Sequence, residues 1–213
     1  WKMRQRLLKI FNILLETFGE RYWWPGETAL EVIVGAVLTQ NTSWKNVEKA
    51  ILSLKSAGLM DVDRLYEVED AVLARCIRSS GYYNLKAKRL KNVVNVIHDE
   101  YGASIEHLRN NGAADLREKL LGIKGIGEET ADSILLYALD KPVFVIDAYT
   151  KRFLASHELY DGPYTYEDMQ AFFMNNLPLD TYLFNEYHAL IVALCQSHCL
   201  KVPRCEECPL KRQ

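Results

Sequence analysis

Between Leu120 and Ala131 the chain reads Leu-Leu-Gly-Ile-Lys-Gly-Ile-Gly-Glu-Glu-Thr-Ala, with Gly122, Gly125 and Gly127 crowded between two helical patterns. A chain that leaves one helix and enters another within so few residues must reverse sharply. Glycine fits where the backbone turns through positive φ or approaches a ligand closely. Ile123 and Ile126 are apolar enough to anchor the turn. The amides that open the following helix form an anion site, suited to a phosphate. The glycines by themselves are also compatible with a generic helix-helix turn.

The remainder of the sequence is helical in periodicity almost everywhere, and alternating strand patterns bounded by paired turn signals are scarce. The expected fold class is all-α. Helices are expected near 2–18, 28–40, 44–57, 69–76, 85–99, 103–110, 113–121, 128–139, 147–158, 165–175 and 181–197. Trp24-Pro25-Gly26, Ser80-Gly81, Asn111-Gly112, Gly122 to Gly127 and Asp161-Gly162-Pro163 separate them. The connections are too short for a flexible linker, so any lobes should pack rigidly. At 213 residues, 49% of them hydrophobic, the chain can bury a core as one domain or two packed lobes. No stretch approaches the ~18 apolar residues of a membrane span. The amphipathic, charged opening WKMRQRLLKIFNILLETFGE gives no signal peptide either, so a soluble intracellular protein is expected.

A net charge of −2 argues mildly against a protein that grips nucleic acid by bulk positive charge. Local clusters run the other way. Lys86, Lys88, Arg89 and Lys91 form a basic run, Lys151 and Arg152 a pair, and Lys201, Arg204, Lys211 and Arg212 flank the terminal cysteines. Any one of these could equally be a solvated helix face.

Twenty residues after Gly127 comes Pro142-Val-Phe-Val-Ile-Asp147, an apolar run whose single acid opens a helix. Read alone, Asp147 is an N-cap, the commonest use of aspartate at a helix start. At the other end, Cys195, Cys199, Cys205 and Cys208 fall within fourteen residues, apart from the isolated Cys76. Such spacing reads as a metal or cluster site rather than as disulfides, and four thiolates suit either zinc or iron and sulfide.

The pattern LxGIKGIGxxTA with an acid twenty residues on resembles the helix-hairpin-helix DNA glycosylases of the endonuclease III superfamily, and the likeness extends over nearly the whole chain. It implies two lobes. One is a six-helix barrel lobe over 28–140, with the hairpin near 113–139. The other is a helical lobe formed by 1–27 and 141–213, ending in an iron-sulfur loop over 195–213. It implies that Asp147 is the catalytic carboxylate, because loss of a base builds oxocarbenium character on the sugar that a fixed carboxylate can stabilise. Gly122, Lys124, Gly125, Gly127 and Thr130 become the phosphate-binding hairpin. Gln40, in Leu38-Thr-Gln40-Asn-Thr42, becomes a DNA or opposite-base contact. Tyr82, in Ser80-Gly81-Tyr82-Tyr83-Asn84, becomes the residue that fills the gap left by an extruded nucleotide, with Asn84 and Lys86 beside it on the DNA.

Family members that also cut the strand carry a lysine two residues before the alanine of the Thr-Ala pair. Glu129 stands there in this chain, and a carboxylate cannot form a Schiff base. A monofunctional glycosylase is therefore expected. Trp23-Trp24-Pro25, Gln40-Asn41-Thr42 and Trp44 resemble the endonuclease III-like 3-methyladenine DNA glycosylases, whose residue at the Trp44 position stacks on the flipped base. Trp23, Trp24 and Glu129 would line the rest of the pocket, and an electron-poor alkylated purine suits an indole face.

The same resemblance favours a 4Fe-4S cluster over zinc, held by Cys199, Cys205 and Cys208. The family's loop is CxxxxxxCxxC with a further cysteine five residues on. Here the first gap is one residue shorter and the last cysteine would fall at position 214, so either a ligand past Gln213 or Cys195 completes the set. The expected partner is double-stranded DNA carrying damaged bases, met by a monomer near the nucleoid of a prokaryotic cytoplasm. The competing readings are a bifunctional endonuclease III, a mismatch adenine glycosylase, or a non-catalytic helix-hairpin-helix module.

Overall fold

The computed structural model describes residues 1–211, so Arg212 of the expected basic group lies outside the described residues. Among the described residues the regular structure is entirely helical. No helix there is long and apolar enough to cross a membrane. Chain contacts divide the molecule into two compact units, one of Trp24–Lys141 and one of Trp1–Trp23 with the segment from Pro142 onward.

The first of these units is built around α2 (Ala29–Leu38), whose sequence ALEVIVGAVL is apolar on every side and buried from Leu30 to Leu38. A helix without a polar face needs cover all round. Around it in chain order come α3 (Trp44–Ser56), α4 (Val62–Glu67), α5 (Asp70–Cys76), α6 (Tyr83–Tyr101), α7 (Ile105–Arg109), α8 (Ala113–Leu121) and α9 (Glu128–Ser133). α9 continues into a π-helical turn, Ile134–Ala138. α3, α6, α9 and this turn all touch α2, while α4 and α5 pack on α6. The Thr28 hydroxyl caps α2 by accepting the Glu31 N–H. The Glu31 carboxylate, itself buried, is met by Lys55 at 2.8 Å.

α8 and α9 are tied together by a forked ion pair. Arg117 donates from Nε to Asp132 Oδ1 at 2.8 Å and from Nη2 to Oδ2 at 3.2 Å, and Asp132 is wholly buried. A planar guanidinium on a carboxylate fixes orientation as well as distance. This pair sets how the two helices of the hairpin meet.

The other unit comprises α1 (Lys2–Phe18), α10 (Ala148–Ser156), α11 (Tyr166–Asn176), α12 (Thr181–Ser197) and a 3-10 turn at Cys205–Glu207. α12 packs against α1 and α10. Tyr187 of α12 is fully buried, with Phe11, Phe144, Phe153 and Phe173 around its ring. Its hydroxyl donates to Leu7 O at 2.9 Å, which meets the requirement that a buried hydroxyl keep a partner.

The helices fall close to the expected spans, with three differences. α4 was not expected, because VDRLYE is short and mostly polar; Val62 and Leu65 alone are buried from it, under an Asp61 cap. α6 starts two residues earlier than expected. The expected single helix over 128–139 changes pitch at Ile134, where the Leu139 N–H reaches back to Ile134 O.

Replacing Arg117 with Met keeps the aliphatic stem but leaves the Asp132 carboxylate buried without its fork. We expect a loss of about 3 kcal/mol in urea or thermal unfolding. A change below about 0.5 kcal/mol would mean the pair does not organise the hairpin.

Candidate active site

In the unit that holds the hairpin, Ile123 and Ile126 are buried as its anchors and Lys124 is exposed at its tip. Of the three glycines only Gly125 has positive φ, at +95°. A methyl group there would also lie 2.5 Å from Arg89 Cγ. Gly122 and Gly127 have ordinary negative φ, at the C-terminus of α8 and the N-cap of α9. The need for glycine is thus concentrated at one position.

Gln40 braces this turn. Its Nε2 donates to Gly125 O at 3.3 Å and to Thr130 Oγ1 at 3.0 Å, while its Oε1 accepts from Arg89 Nη1. The amide expected to contact DNA is committed inside the unit in this conformation. Thr130 is buried for the same reason. Asn92 completes the brace by donating to Lys124 O at 2.9 Å.

Tyr82 stands at the N-cap of α6 with φ +45° and is 74% exposed. An aromatic residue in the left-handed region is uncommon. Asn84, two residues further on in the first turn of α6, is exposed as well. Lys86 corrects the expectation. It is 1% exposed, and its ammonium donates to Leu38 O at 2.8 Å and Ser80 O at 2.6 Å, so it has no reach to a phosphate. Helical periodicity put it on the same face as Ala87 and Leu90, which turn inward.

The expected aromatic pocket is gathered in part. Trp24 and Trp44 meet edge to face with ring centres 5.3 Å apart. Tyr137, from the π-helical turn, lies 5.4 Å from Trp24 and was not singled out in the sequence. α2 comes so close to Trp24 at Gly35 that a methyl group there would sit 2.9 Å from the indole Nε1. Glu129 is exposed on the first turn of α9. Trp23 belongs to the other unit, where it is half-buried.

In that unit the apolar run Val143–Ile146 is buried outside any helix, with no regular element to satisfy its backbone. Side chains of α11 do so instead. Tyr166 Oη accepts the Ile146 N–H at 3.3 Å, and Gln170 Nε2 donates to Phe144 O at 2.7 Å. Phe144 stacks on Phe173 with centres 4.0 Å apart. These contacts deliver Asp147 to the start of α10 in a fixed pose.

Asp147 divides its two oxygens. Oδ1 accepts the Thr150 N–H at 2.7 Å and the Thr150 hydroxyl at 3.0 Å, while Oδ2 lies 3.4 Å from His188 Nε2. Burial by itself would raise the carboxyl pKa. The His188 charge and hydrogen bond, together with both Thr150 donors, overcome this and hold it below the ordinary aspartate value. The group is an N-cap and an ionised carboxylate with 15% of its side chain exposed. His188 was missed in the sequence, since nothing local links it to a residue forty-one positions earlier.

The cysteines are partly assembled. Cys195 and Cys199 are both buried; the Cys195 thiol donates to Tyr149 O at 3.5 Å, and Cys199 Sγ lies 3.6 Å from His157 Nε2. Its neighbour Cys195 holds the Cys199 thiol down to about 5 against its own burial, with His157 and His198 adding to the effect. Burial pushes Cys208 up, and charge on Cys199 and Cys205 adds to that rise. Arg152 donates to Cys199 O at 3.0 Å, fastening the loop to α10. Among the described residues, however, no three His, Cys, Asp or Glu side chains are gathered closely enough to hold a metal ion.

A family model, the HhH-GPD superfamily base excision DNA repair protein, matches residues 34–179. A Methanocaldococcus jannaschii protein provisionally named a DNA repair glycosylase is 48% identical over 97% of this chain and 94% of its own length. The crystal structure of the H. pylori 3-methyladenine DNA glycosylase MagIII bound to 1,N6-ethenoadenine is 32% identical, with a TM-score of 0.75 over 92% of this chain and 96% of that one. A non-covalent endonuclease III–DNA complex matches at a TM-score of 0.82 over 98% of this chain and 93% of that one; at 19% identity it shows the fold alone. The chain belongs to the HhH-GPD superfamily of base excision DNA repair proteins. Its activity is accordingly that of a DNA glycosylase in base excision repair.

Because its folded pKa is depressed, Asp147 stays ionised below the ordinary aspartate value, and its stabilising bonds are lost only as pH falls through the folded value. We expect His188→Gln to move the acid limb of the excision profile to higher pH. Asp147→Asn should fold and bind DNA while excision falls at least 100-fold. An unmoved acid limb would show that His188 does not tune the carboxylate.

Proposed function

We propose that the protein is a monofunctional glycosylase that extrudes an alkylated purine from duplex DNA and hydrolyses its N-glycosidic bond, leaving the abasic strand uncut. The observation that carries this reading is the pairing of an ionised, positioned carboxylate at Asp147 with a carboxylate, Glu129, where a lyase needs an amine. As the base departs, positive charge grows on the sugar, and Asp147 stabilises it through the oxygen not engaged by Thr150. Water then attacks the sugar, with Asp147 placed to orient it or take its proton. Trp24, Trp44 and Tyr137 offer π faces to an electron-poor base. Support for that base class comes from the MagIII structure, which is described with an ethenoadenine bound. The hairpin amides and Lys124 would meet the DNA backbone, Tyr82 would occupy the vacated space, and Gln40 would exchange its internal partners for the duplex.

The test is base release from duplexes carrying 3-methyladenine, 1,N6-ethenoadenine, hypoxanthine, thymine glycol or adenine opposite oxidised guanine, scored before and after hot alkali. We expect release from the alkylated purines, strand breaks only after alkali, and no adduct trapped by borohydride. Preference for thymine glycol, or a trapped adduct, would replace this reading with a bifunctional one.

The cysteine loop fits a resident 4Fe-4S cluster in donor chemistry, because it offers four free thiols within fourteen residues and one of them, Cys199, is already biased toward the thiolate that such a cluster needs. Cys195, Cys199, Cys205 and Cys208 would hold it, with zinc as the competing occupant. Bound, the cluster would supply a structural cross-link for the loop. Purified protein should contain about four irons and four sulfides, and Cys195→Ser should lose them. Zinc without sulfide would refute the cluster, and unchanged iron in Cys195→Ser would remove Cys195 from the ligand set.

A further inference from the structure

Lys86 is a fully buried ammonium whose hydrogen-bond partners are main-chain carbonyls rather than a carboxylate. Burying a charge without an opposite one costs several kcal/mol unless its donors are well used. A leucine at this position would avoid that cost but leave the two carbonyls unmet, so the role of the charge lies in the carbonyls it holds.

The two carbonyls it holds identify that role. Leu38 O closes α2, two residues before Gln40, and Ser80 O closes the 3-10 turn, two residues before Tyr82. Carbonyls at the ends of helical turns lack internal partners and carry partial negative charge, which a cation satisfies. Ser80 itself is fully buried, with its hydroxyl donating to Ile77 O at 2.7 Å, so the base of the turn is fixed. Beyond it Gly81 and Tyr82 both have positive φ, at 69° and 45°. A tyrosine in that region costs about 1 kcal/mol and persists only where its surroundings over-determine it. Two bonds from Lys86 enclose that tip: its backbone N–H to Tyr82 O at 2.9 Å and its ammonium to Ser80 O. The exposed ring of Tyr82 is held out by a loop that one buried residue closes from both ends.

We propose that Lys86 is a positioning residue for base extrusion, in which one buried ammonium holds the Tyr82 tip rigid and fixes it relative to the end of α2 that carries Gln40. It acts through Tyr82 and touches neither the base nor the sugar. This rests on the reading of Tyr82 as the residue that fills the vacated space. A rigid tip matters because an aromatic side chain that enters the stack must do so without first losing loop entropy.

The experiment measures single-turnover release of 1,N6-ethenoadenine at saturating enzyme. The base is placed either opposite thymine in a continuous duplex or in a single-nucleotide bulge, where extrusion is largely complete beforehand. Lys86→Met should slow release from the continuous duplex at least 30-fold and from the bulge less than 3-fold. Tyr82→Ala should give the same contrast, and Lys86→Met with Tyr82→Ala should be no slower than the slower single variant. Lys86→Gln, whose amide can still donate to a carbonyl, should fall between wild type and Lys86→Met on the continuous duplex, and it supplies the comparison if Lys86→Met does not fold. Equal losses on both substrates would make Lys86 a general fold residue and overturn the proposal. Multiplicative losses in the double variant would also overturn it, because Lys86 would then act apart from Tyr82. If Tyr82→Ala shows no contrast while Lys86→Met does, the role of Tyr82 is what fails, and Lys86 must position something else.

Discussion

The division of labour between the two oxygens of Asp147 is the constraint around which its unit is organised. One oxygen is taken up by Thr150 in the first turn of α10, and this leaves the other with its direction set. That arrangement requires the chain to arrive in a fixed path, although a segment outside any helix cannot satisfy its own amides. α11 supplies the missing partners through Tyr166 and Gln170, and α12 supplies His188. Three helices therefore converge on a six-residue approach, and the aromatic core around Tyr187 and Phe144 holds them there. Fold stability and carboxylate ionisation in this unit have a common origin.

The basic run at the start of α6 shows how a cluster of positive charge in a sequence can be turned largely to internal use. Of the run Lys86, Lys88, Arg89 and Lys91, Lys86 is buried, Arg89 is engaged with Gln40 and Lys91 donates to Tyr66 O at 2.6 Å. Lys88 remains fully on the surface, joined by Lys124 at the hairpin tip. α6 is better understood as an internal scaffold of cations that hold carbonyls and amides in place.

What the sequence made legible was local. The helices, the glycine turn, the exposed Tyr82 and the Asp147 cap each follow from residues within a few positions of one another. What it hid was distant or depended on orientation. His188 beside Asp147, Tyr137 beside Trp24 and the fork from Arg117 to Asp132 each join residues fifteen or more positions apart, with no periodic signal to connect them. Lys86 misled because a lysine beside a turn in a basic run suggests a solvated contact, and only packing reveals that its helix face turns inward. The cysteines were legible as a group by spacing, whereas which of them approach one another is decided by the path of α12 into the loop.

The contact between Gly35 and Trp24 bears on how such an enzyme can diversify. A wall whose backing is main chain has no side chain behind it to trim or enlarge. Any residue larger than glycine at position 35 would drive the indole outward instead of reshaping the surface behind it. On the proposed reading of these three rings as the base pocket, variation in the size of the accepted base must then come from the other two, Trp44 and Tyr137, which meet Trp24 by edge and tilt. Descendants of this chain that acquire a new substrate should therefore keep glycine at the helix and record their history in those two aromatics.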